Sequence, residues 1–489
     1  MLFNSISFAI FLTIVFILHW FVMNKNSQSQ NILLVVASFV FYALWDWRFL
    51  LLMVISKSID FISTTQISRS ADARRRKRFL LLSIFINVAI LGFFKYFNFF
   101  IGSFSNAASF IGLNVSISSL QIIMPVGLSF YTMQALGYLF DVYQEETEPT
   151  HDIIDYFAFL SFFPLVLAGP IERASNLLYQ LKSQRVFNYS NAVDGLRQIL
   201  WGLFKKVVIA DNCASLANLI FEHSASYSGS TLVLGALFFT FQIYCDFSGY
   251  SDMAIGIAKL FNINLMQNFA FPYFSRNIGE FWRRWHISLS SWLFDYIFKP
   301  IQMTLRDLKL LGNILAILIT FIISGMWHGS SWTFIIWGVL NAIYFVPSFF
   351  TWKRHKNTPI VAQGKYFPSL YEFFQMGYTF GATVLAWIFF RSASISQAVS
   401  FIKNIFKHSL FSLPDSRAFN AANEHPGKMI IIIILFLIVE WIGREQQYGI
   451  ANLGLTWPKP LRMALYYGII ITVLFYFAGK GQQFIYFQF

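Results

Sequence analysis

Long apolar stretches are the feature that most constrains this sequence, because a soluble core cannot bury so many of them. The stretch over residues 31–68 would, as one helix rising ~1.5 Å per residue, reach nearly twice across the ~30 Å hydrocarbon layer of a bilayer. We therefore predict two crossings joined at the polar residues 45–48, where two indole rings suit the membrane interface.

Similar stretches recur along the chain and predict an all-α polytopic membrane protein with roughly eleven to thirteen segments at membrane depth. The remaining predicted segments cover residues 2–22, 79–100, 122–142, 156–167, 199–220, 232–247, 313–323, 332–350, 378–390, 429–441 and 461–477. The first has neither a basic start nor a small-residue cleavage site, so we predict a retained span. Pro164, Pro170, Gly249 and Gly256 are predicted to interrupt segments as re-entrant backbone.

Composition and charge agree with this class. Only 12% of the residues are charged, against about 25% in soluble proteins. The net charge of +13 falls in basic loops at 69–78 and 353–356 and among aromatic residues at 275–311, which is typical of cytoplasmic loops and interfacial amphipathic helices. Counting spans back from the first basic loop places the N-terminus outside. We expect contact with membrane lipid and none with nucleic acid.

Histidine, cysteine and acidic residues do not occur at the spacings that are typical of metal ligands, so no metal site is predicted. The two cysteines, Cys213 and Cys245, both lie in apolar sequence. They indicate buried small hydrophobes, not a disulfide framework.

A histidine inside an apolar hairpin is the first candidate for chemistry. If both neighbouring basic segments are cytoplasmic, residues 311–352 cross outward and return, and His328 lies near the external tip. An imidazole in a membrane is costly and usually carries a function. The alternative is a buried histidine that only forms hydrogen bonds between helices.

A second histidine follows two arginines in a basic, aromatic segment. Arg283 and Arg284 could clamp phosphate groups of an acyl donor, because guanidinium groups bind phosphate through two parallel hydrogen bonds; the alternative is anchoring at the cytoplasmic face. His286 could orient the donor, bind its phosphate, or cap a polar face.

Several charges lie within or beside apolar segments. Lys205, Lys206 and Asp211 should pair with opposite charges or line a funnel. Glu172 and Arg173 follow a Gly-Pro break, where they either tie a re-entrant loop together or act in a site.

Three strings give the chain a resemblance to a known family, and four more support it. They are FSGYSDMA (247–254), NIGEFWRRWHISLS (277–290) and WHG (327–329), with AGPIERA (168–174), GLFKKVVIADN (202–212), WIFFR (387–391) and FIYFQF (484–489). Together they resemble the membrane-bound O-acyltransferase family, within it the alginate O-acetyltransferase branch.

The resemblance implies one integral-membrane domain over residues 1–489. Its expected fold is a ring of about eleven transmembrane helices, with re-entrant and amphipathic helices around a central catalytic tunnel. His328 is carried over as the catalytic residue and His286 as its partner. The other expected substrate- or donor-binding residues are Arg283, Arg284, Trp327, Asp211 and Lys205.

The expected function is O-acetylation of an exported or cell-wall polysaccharide, of the alginate type, from the bacterial inner membrane. The donor would be a cytoplasmic thioester, acetyl-CoA or the phosphopantetheine of an acyl carrier protein, with no tightly bound cofactor. An external acetyltransferase of the SGNH type is the expected partner. Two alternatives stay open: transfer of D-alanine to teichoic acid within the same family, and a transporter in which His328 relays protons.

Overall fold

The computed structural model describes residues 1–489 except 114–118, 351–359, 416–418, 420–424, 478–481, 483 and 486–489. The described residues form helices and irregular segments, with no strand among them. The helices are α1 (Ile6–Ile17), α2 (Ser27–Arg69), α3 (Ala73–Leu91), α4 (Phe97–Phe110), α5 (Leu128–Tyr143), α6 (Ile153–Ser161), α7 (Ala174–Lys182), α8 (Tyr189–Leu203), α9 (Asp211–Glu222), α10 (Gly229–Leu260), α11 (Ile278–Arg284), α12 (Ile287–Leu293), α13 (Lys299–Thr304), α14 (Lys309–His328), α15 (Trp332–Phe350), α16 (Leu370–Arg391), α17 (Ile395–Ile405), α18 (Pro426–Gly443) and α19 (Lys459–Phe477).

Eight helical stretches in the described part of the chain are long and apolar enough to cross a membrane. They are Ser27–Arg69, Ala73–Phe110, Gly229–Leu260, Arg306–His328, Trp332–Phe350, Leu370–Arg391, Pro426–Gly443 and Lys459–Phe477. The prediction of an all-α polytopic membrane protein is confirmed. The figure of about eleven transmembrane helices stays a prediction, because the other apolar segments are shorter or broken.

Two predicted break points are present. Asp46 has extended backbone angles inside the otherwise helical α2 (φ −160°, ψ 115°), at the turn that the length of the apolar stretch required. The chain also leaves helical geometry around Pro164 and Pro170, between α6 and α7, because proline lacks the N–H that a helix interior needs. The basic residues 353–356 lie outside the described residues.

Two details of the sequence interpretation are wrong. Helix α3 begins at Ala73, so the basic run that follows belongs to a helix and not to a loop; the Asp72 side chain caps it by accepting the Arg74 N–H at 2.9 Å. Gly249 does not interrupt α10, nor does Gly256. A Cβ at Gly249 would lie only 2.8 Å from the carbonyl oxygen of Gly202 in α8, so this glycine permits two helix backbones to touch.

The chain divides into two compact units, and the first consists of residues 1–192 and 257–266. A buried ion pair lies within it: Lys57 of α2 donates to Asp60 at 2.8 Å. Asn87 and Ser83 of α3 donate to the same carboxylate. The charges balance and the oxygens are hydrogen-bonded, so the pair is tolerated at membrane depth and joins the two helices.

A carboxylate ties the irregular segment between α6 and α7 to the 262–266 segment. Glu172 accepts hydrogen bonds from the Asn176 side chain at 2.8 Å and from the Met266 N–H at 2.5 Å. Of the two roles that the sequence left open for Glu172, this contact agrees with the structural one, in which it ties a loop together.

The second unit comprises residues 193–256 and 267–489. It holds the helical hairpin of α14 and α15, joined by Gly329, Ser330 and Ser331. The predicted hairpin is therefore confirmed, with His328 as the last residue of its first helix. The short helices α11, α12 and α13 occupy the segment predicted to be amphipathic. All the predicted site residues lie in this unit.

Candidate active site

His328 sits in an aromatic cage at the C-terminal end of α14. Its side chain is buried, with 4% of the residue exposed. The imidazole makes edge contacts with Trp337 of α15, at 5.1 Å between ring centroids, and with Phe390 of α16, at 5.3 Å. The next residue, Gly329, has no room for a side chain, because a Cβ there would lie 2.1 Å from the ring of Phe334. Three helices thus fix where this imidazole lies.

His286 occupies a sharp turn between α11 and α12. Its backbone is left-handed (φ 44°, ψ 54°), a conformation that non-glycine residues adopt only where the surroundings enforce it. Hydrogen bonds supply that enforcement: the Ile287 N–H donates to the Asn268 carbonyl at 2.9 Å, and the Ser288 N–H to the Asn268 side-chain oxygen at 3.2 Å. The imidazole packs edge-on against Phe247 of α10 at 4.6 Å.

Trp327 brings the two histidines into one site. Its indole lies 4.9 Å from the His328 ring and 5.7 Å from the His286 ring, centroid to centroid. The sequence placed both histidines in one site only through a family resemblance. In the structure a single aromatic ring contacts both.

The surroundings of His286 keep its ring neutral. This residue lies outside the eight apolar spans, and burial lowers the pKa of its imidazole to about 3, because the charged form would lose its hydration. The neutral ring has one N–H and one nitrogen with a free lone pair, so it can both donate and accept a hydrogen bond.

The two predicted phosphate clamps lie side by side in the short helix α11. Arg284 donates to Glu280 at 2.8 Å and to the Ala270 carbonyl at 3.3 Å, so it fastens α11 to the preceding segment. The same glutamate accepts from Arg276 at 3.1 Å. Arg283 is half-buried on the same short helix. A donor-binding role stays a prediction for both arginines.

Lys205 and Asp211 take part in buried ion pairs, as their position in apolar sequence predicted. Lys205 pairs with Asp252 of α10 at 2.5 Å. Lys206 lies 2.7 Å from Asp211 and 2.8 Å from Asp246. Burying a charge is costly unless it is paired, so these contacts give both residues a structural role. Their contact with substrate stays a prediction.

Metal ligands do not gather in the described part of the chain. No group of three histidine, cysteine, aspartate or glutamate side chains there is arranged to hold a metal ion. Cys213 and Cys245 are buried free thiols, which agrees with the interpretation of them as small hydrophobes.

Several neighbours of the site were missed by sequence reasoning. Asn268 lies in an irregular segment before α11 and carries no motif signal of its own. Trp337 is an ordinary apolar residue of its helix, and Phe390 belongs to the string WIFFR without having been singled out; only packing shows that both face His328. Glu440, buried in α18, accepts hydrogen bonds from Tyr244 at 2.6 Å and from Trp201 at 3.2 Å; as an acid in an apolar run it was detectable.

Fold and site together define an integral, multi-pass membrane protein with two buried histidines at one aromatic centre. Comparison with known proteins gives this class its family. The model of MBOAT, the membrane-bound O-acyltransferase family, matches residues 146–385, a range that includes both histidines.

The relatives cover most of the chain. A peptidoglycan O-acetyltransferase of Helicobacter pylori is 32% identical over 95% of this chain and 92% of the relative. A probable alginate O-acetylase, AlgI, of Pseudomonas aeruginosa is 33% identical over 87% of this chain and 78% of the relative. A teichoic acid D-alanyltransferase of Streptococcus thermophilus is 29% identical over 48% of this chain and 58% of the relative. The chain belongs to the membrane-bound O-acyltransferase family and is an acyltransferase.

Proposed function

We propose that this protein O-acetylates an exported or cell-wall polysaccharide from the bacterial inner membrane, taking acetyl groups from a cytoplasmic thioester. The contact of both His286 and His328 with the indole of Trp327 carries the proposal, because it brings two imidazoles into one buried site. Full-length similarity to a peptidoglycan O-acetyltransferase and to a probable alginate O-acetylase supports acetyl as the transferred group.

The chemistry follows from the imidazole of His328. It takes the proton of an acceptor hydroxyl as the oxygen attacks the thioester carbonyl. The C–O bond forms, the C–S bond breaks, and the departing thiolate receives the proton from the imidazolium. The aromatic cage keeps water away, which protects the thioester from hydrolysis.

Donor and partners complete the proposal. Acetyl-CoA or the phosphopantetheine of an acyl carrier protein supplies the acetyl group as a substrate, with no tightly bound cofactor, and Arg283 and Arg284 with Trp327, Lys205 and Asp211 line its path. The thioester enters a tunnel from the cytoplasm and the acceptor hydroxyl enters it from the external side, and the two meet at His328. An external SGNH-type acetyltransferase then completes transfer to the sugar hydroxyls.

The test measures acetyl transfer directly. Cells that lack the gene are complemented with the wild type or with His328→Ala, and the ester-linked acetate on their surface polysaccharide is measured. Wild type should restore the acetate and His328→Ala should not. Equal restoration by both would overturn the proposal that His328 is catalytic.

Labelling distinguishes the two alternatives. Purified protein in liposomes receives radiolabelled acetyl-CoA or D-alanine loaded on its carrier protein, and the label recovered in ester linkage is measured. Label from D-alanine alone would replace acetylation with D-alanylation, for which the Streptococcus relative is the precedent. Solute counterflow that is lost with His328→Ala, without any effect of that change on polysaccharide acetate, would indicate a transporter.

A further inference from the structure

Asn268 is the polar centre of the turn that carries His286. It is completely buried, at 0% exposure. Its side-chain nitrogen donates to the hydroxyl of Ser251 in α10 at 3.1 Å. Its side-chain oxygen accepts from the Ser288 N–H at 3.2 Å and from the Ser288 hydroxyl at 2.9 Å. The same oxygen lies 3.2 Å from Nδ1 of His286.

The orientation of this amide follows from its partners. A backbone N–H can only donate, so the atom of Asn268 that faces the Ser288 N–H must be the oxygen and not the nitrogen. The amide nitrogen therefore points to Ser251. Hydrogen bonds at both ends of the amide hold that orientation.

The protonation of His286 follows from the amide. The Ser288 hydroxyl also lies 3.4 Å from Nδ1, but its hydrogen goes to the nearer Asn268 oxygen at 2.9 Å. An amide oxygen can only accept a hydrogen bond, so the imidazole nitrogen 3.2 Å from it carries the hydrogen. A neutral imidazole has one N–H. With that hydrogen on Nδ1, the lone pair that can take up a proton belongs to Nε2.

We propose that Asn268 is a positioning residue that holds His286 as its Nδ1–H tautomer, so that every proton His286 exchanges passes through Nε2. This inference rests on the proposed acyl transfer for its consequence. His328 remains the base of the acyl transfer, and any proton that His286 takes up bonds to Nε2 while the Asn268 oxygen continues to accept from Nδ1. The reverse step returns the proton from Nε2 to the group that gave it, so no co-reactant is needed.

The tautomer can be observed without any substrate. The protein is labelled with ¹⁵N in its histidines and reconstituted in lipid nanodiscs, and His286→Gln identifies the signals of residue 286. Chemical shifts of the ring nitrogens distinguish Nδ1–H from Nε2–H. We expect Nδ1–H in the wild type and its loss in Asn268→Leu. An Nε2–H tautomer in the wild type would overturn the proposal.

Kinetics then separate positioning from folding. Asn268→Leu should lower kcat on the order of 10- to 100-fold, with KM for acetyl-CoA little changed. Asn268→Asp keeps the oxygen that faces Nδ1 and should restore much of kcat. Because a carboxylate favours the charged imidazole, the acidic limb of its pH profile should move to higher pH. Equal losses in both variants with unshifted profiles would contradict positioning.

A matched control is available in the same unit. Asn341 is also buried, and its amide donates to the Trp337 carbonyl within α15 at 2.8 Å. Asn341→Ala should leave kcat and the tautomer of His286 as in the wild type. If Asn268→Leu does not fold, the wild-type spectrum and the Asp variant still decide the question.

The two proposals fail in different ways. If the acyl group or acceptor differs from acetyl and polysaccharide, the Nδ1–H spectrum of His286 persists. If His286 has the Nε2–H tautomer while polysaccharide acetylation is intact, the proposed role of Asn268 is wrong and the proposed function stands.

Discussion

The surroundings of the two histidines differ in kind. His328 is held by rings, since Trp327, Trp337 and Phe390 contact its imidazole. His286 also contacts rings, those of Phe247 and Trp327, and in addition the Asn268 side chain faces its Nδ1 and accepts from Ser288. Aromatic contacts restrict position and exclude water but do not choose which nitrogen carries the hydrogen. A fixed amide does choose, so the two regions constrain different properties of their imidazoles: position at His328 and tautomer at His286.

The largest effect should come from His328 itself. His328→Ala removes the proposed base and should lower acetyl transfer by roughly 10²- to 10⁴-fold, measured as ester-linked acetate in the complemented strain. His223→Ala, at an exposed position after α9, is the matched histidine control and should retain activity. A loss of less than tenfold in His328→Ala would assign the proton transfer to another group.

The aromatic cage should be tested through stability. Phe390→Ala removes a buried ring that contacts both His328 and Phe334, and should lower the free energy of unfolding by about 3–5 kcal/mol, measured as a lower thermal midpoint in detergent. Phe406→Ala, at a ring 68% exposed, should change it little. If Phe390→Ala lowered the thermal midpoint no more than Phe406→Ala does, the aromatic cage would not be a source of stability.

The two arginines near His286 should respond differently to the same change. Arg284→Gln breaks its ion pair with Glu280 and should lower the thermal midpoint, because a buried charge then loses a partner. Arg283→Gln should instead raise KM for acetyl-CoA by about tenfold, the equivalent of one charge-assisted phosphate contact. Unchanged KM in Arg283→Gln would remove that residue from the donor path.

The smallest effect should come from one hydroxyl at His286. Ser288→Ala deletes the hydrogen bond from its hydroxyl to Asn268 at 2.9 Å but keeps the backbone N–H on the same oxygen. We expect a loss of about 1 kcal/mol in stability and an unchanged tautomer of His286 in the ¹⁵N spectrum. A changed tautomer would show that the serine hydroxyl, and not Asn268 alone, fixes the ring.

Much of this protein follows from local sequence. Hydropathy identified a membrane protein, because apolar residues must leave water wherever the chain takes them. Segment length located the break at Asp46, and proline chemistry located the breaks at Pro164 and Pro170. The hairpin whose first helix ends at His328 was predicted from the same patterns. These features depend on neighbours along the chain, which a single sequence displays.

Tertiary structure alone decided the rest. Gly249 looked like a helix break, yet it lies inside α10. Its missing side chain leaves room for the backbone of α8, which approaches there. Asn268 carried no signal, since its role depends on Ser251 and His286, which precede and follow it in the sequence. Hydrogen bonds and close packing act between residues that meet only after folding, so the sequence supplied the imidazoles while the folded chain determined what holds each one.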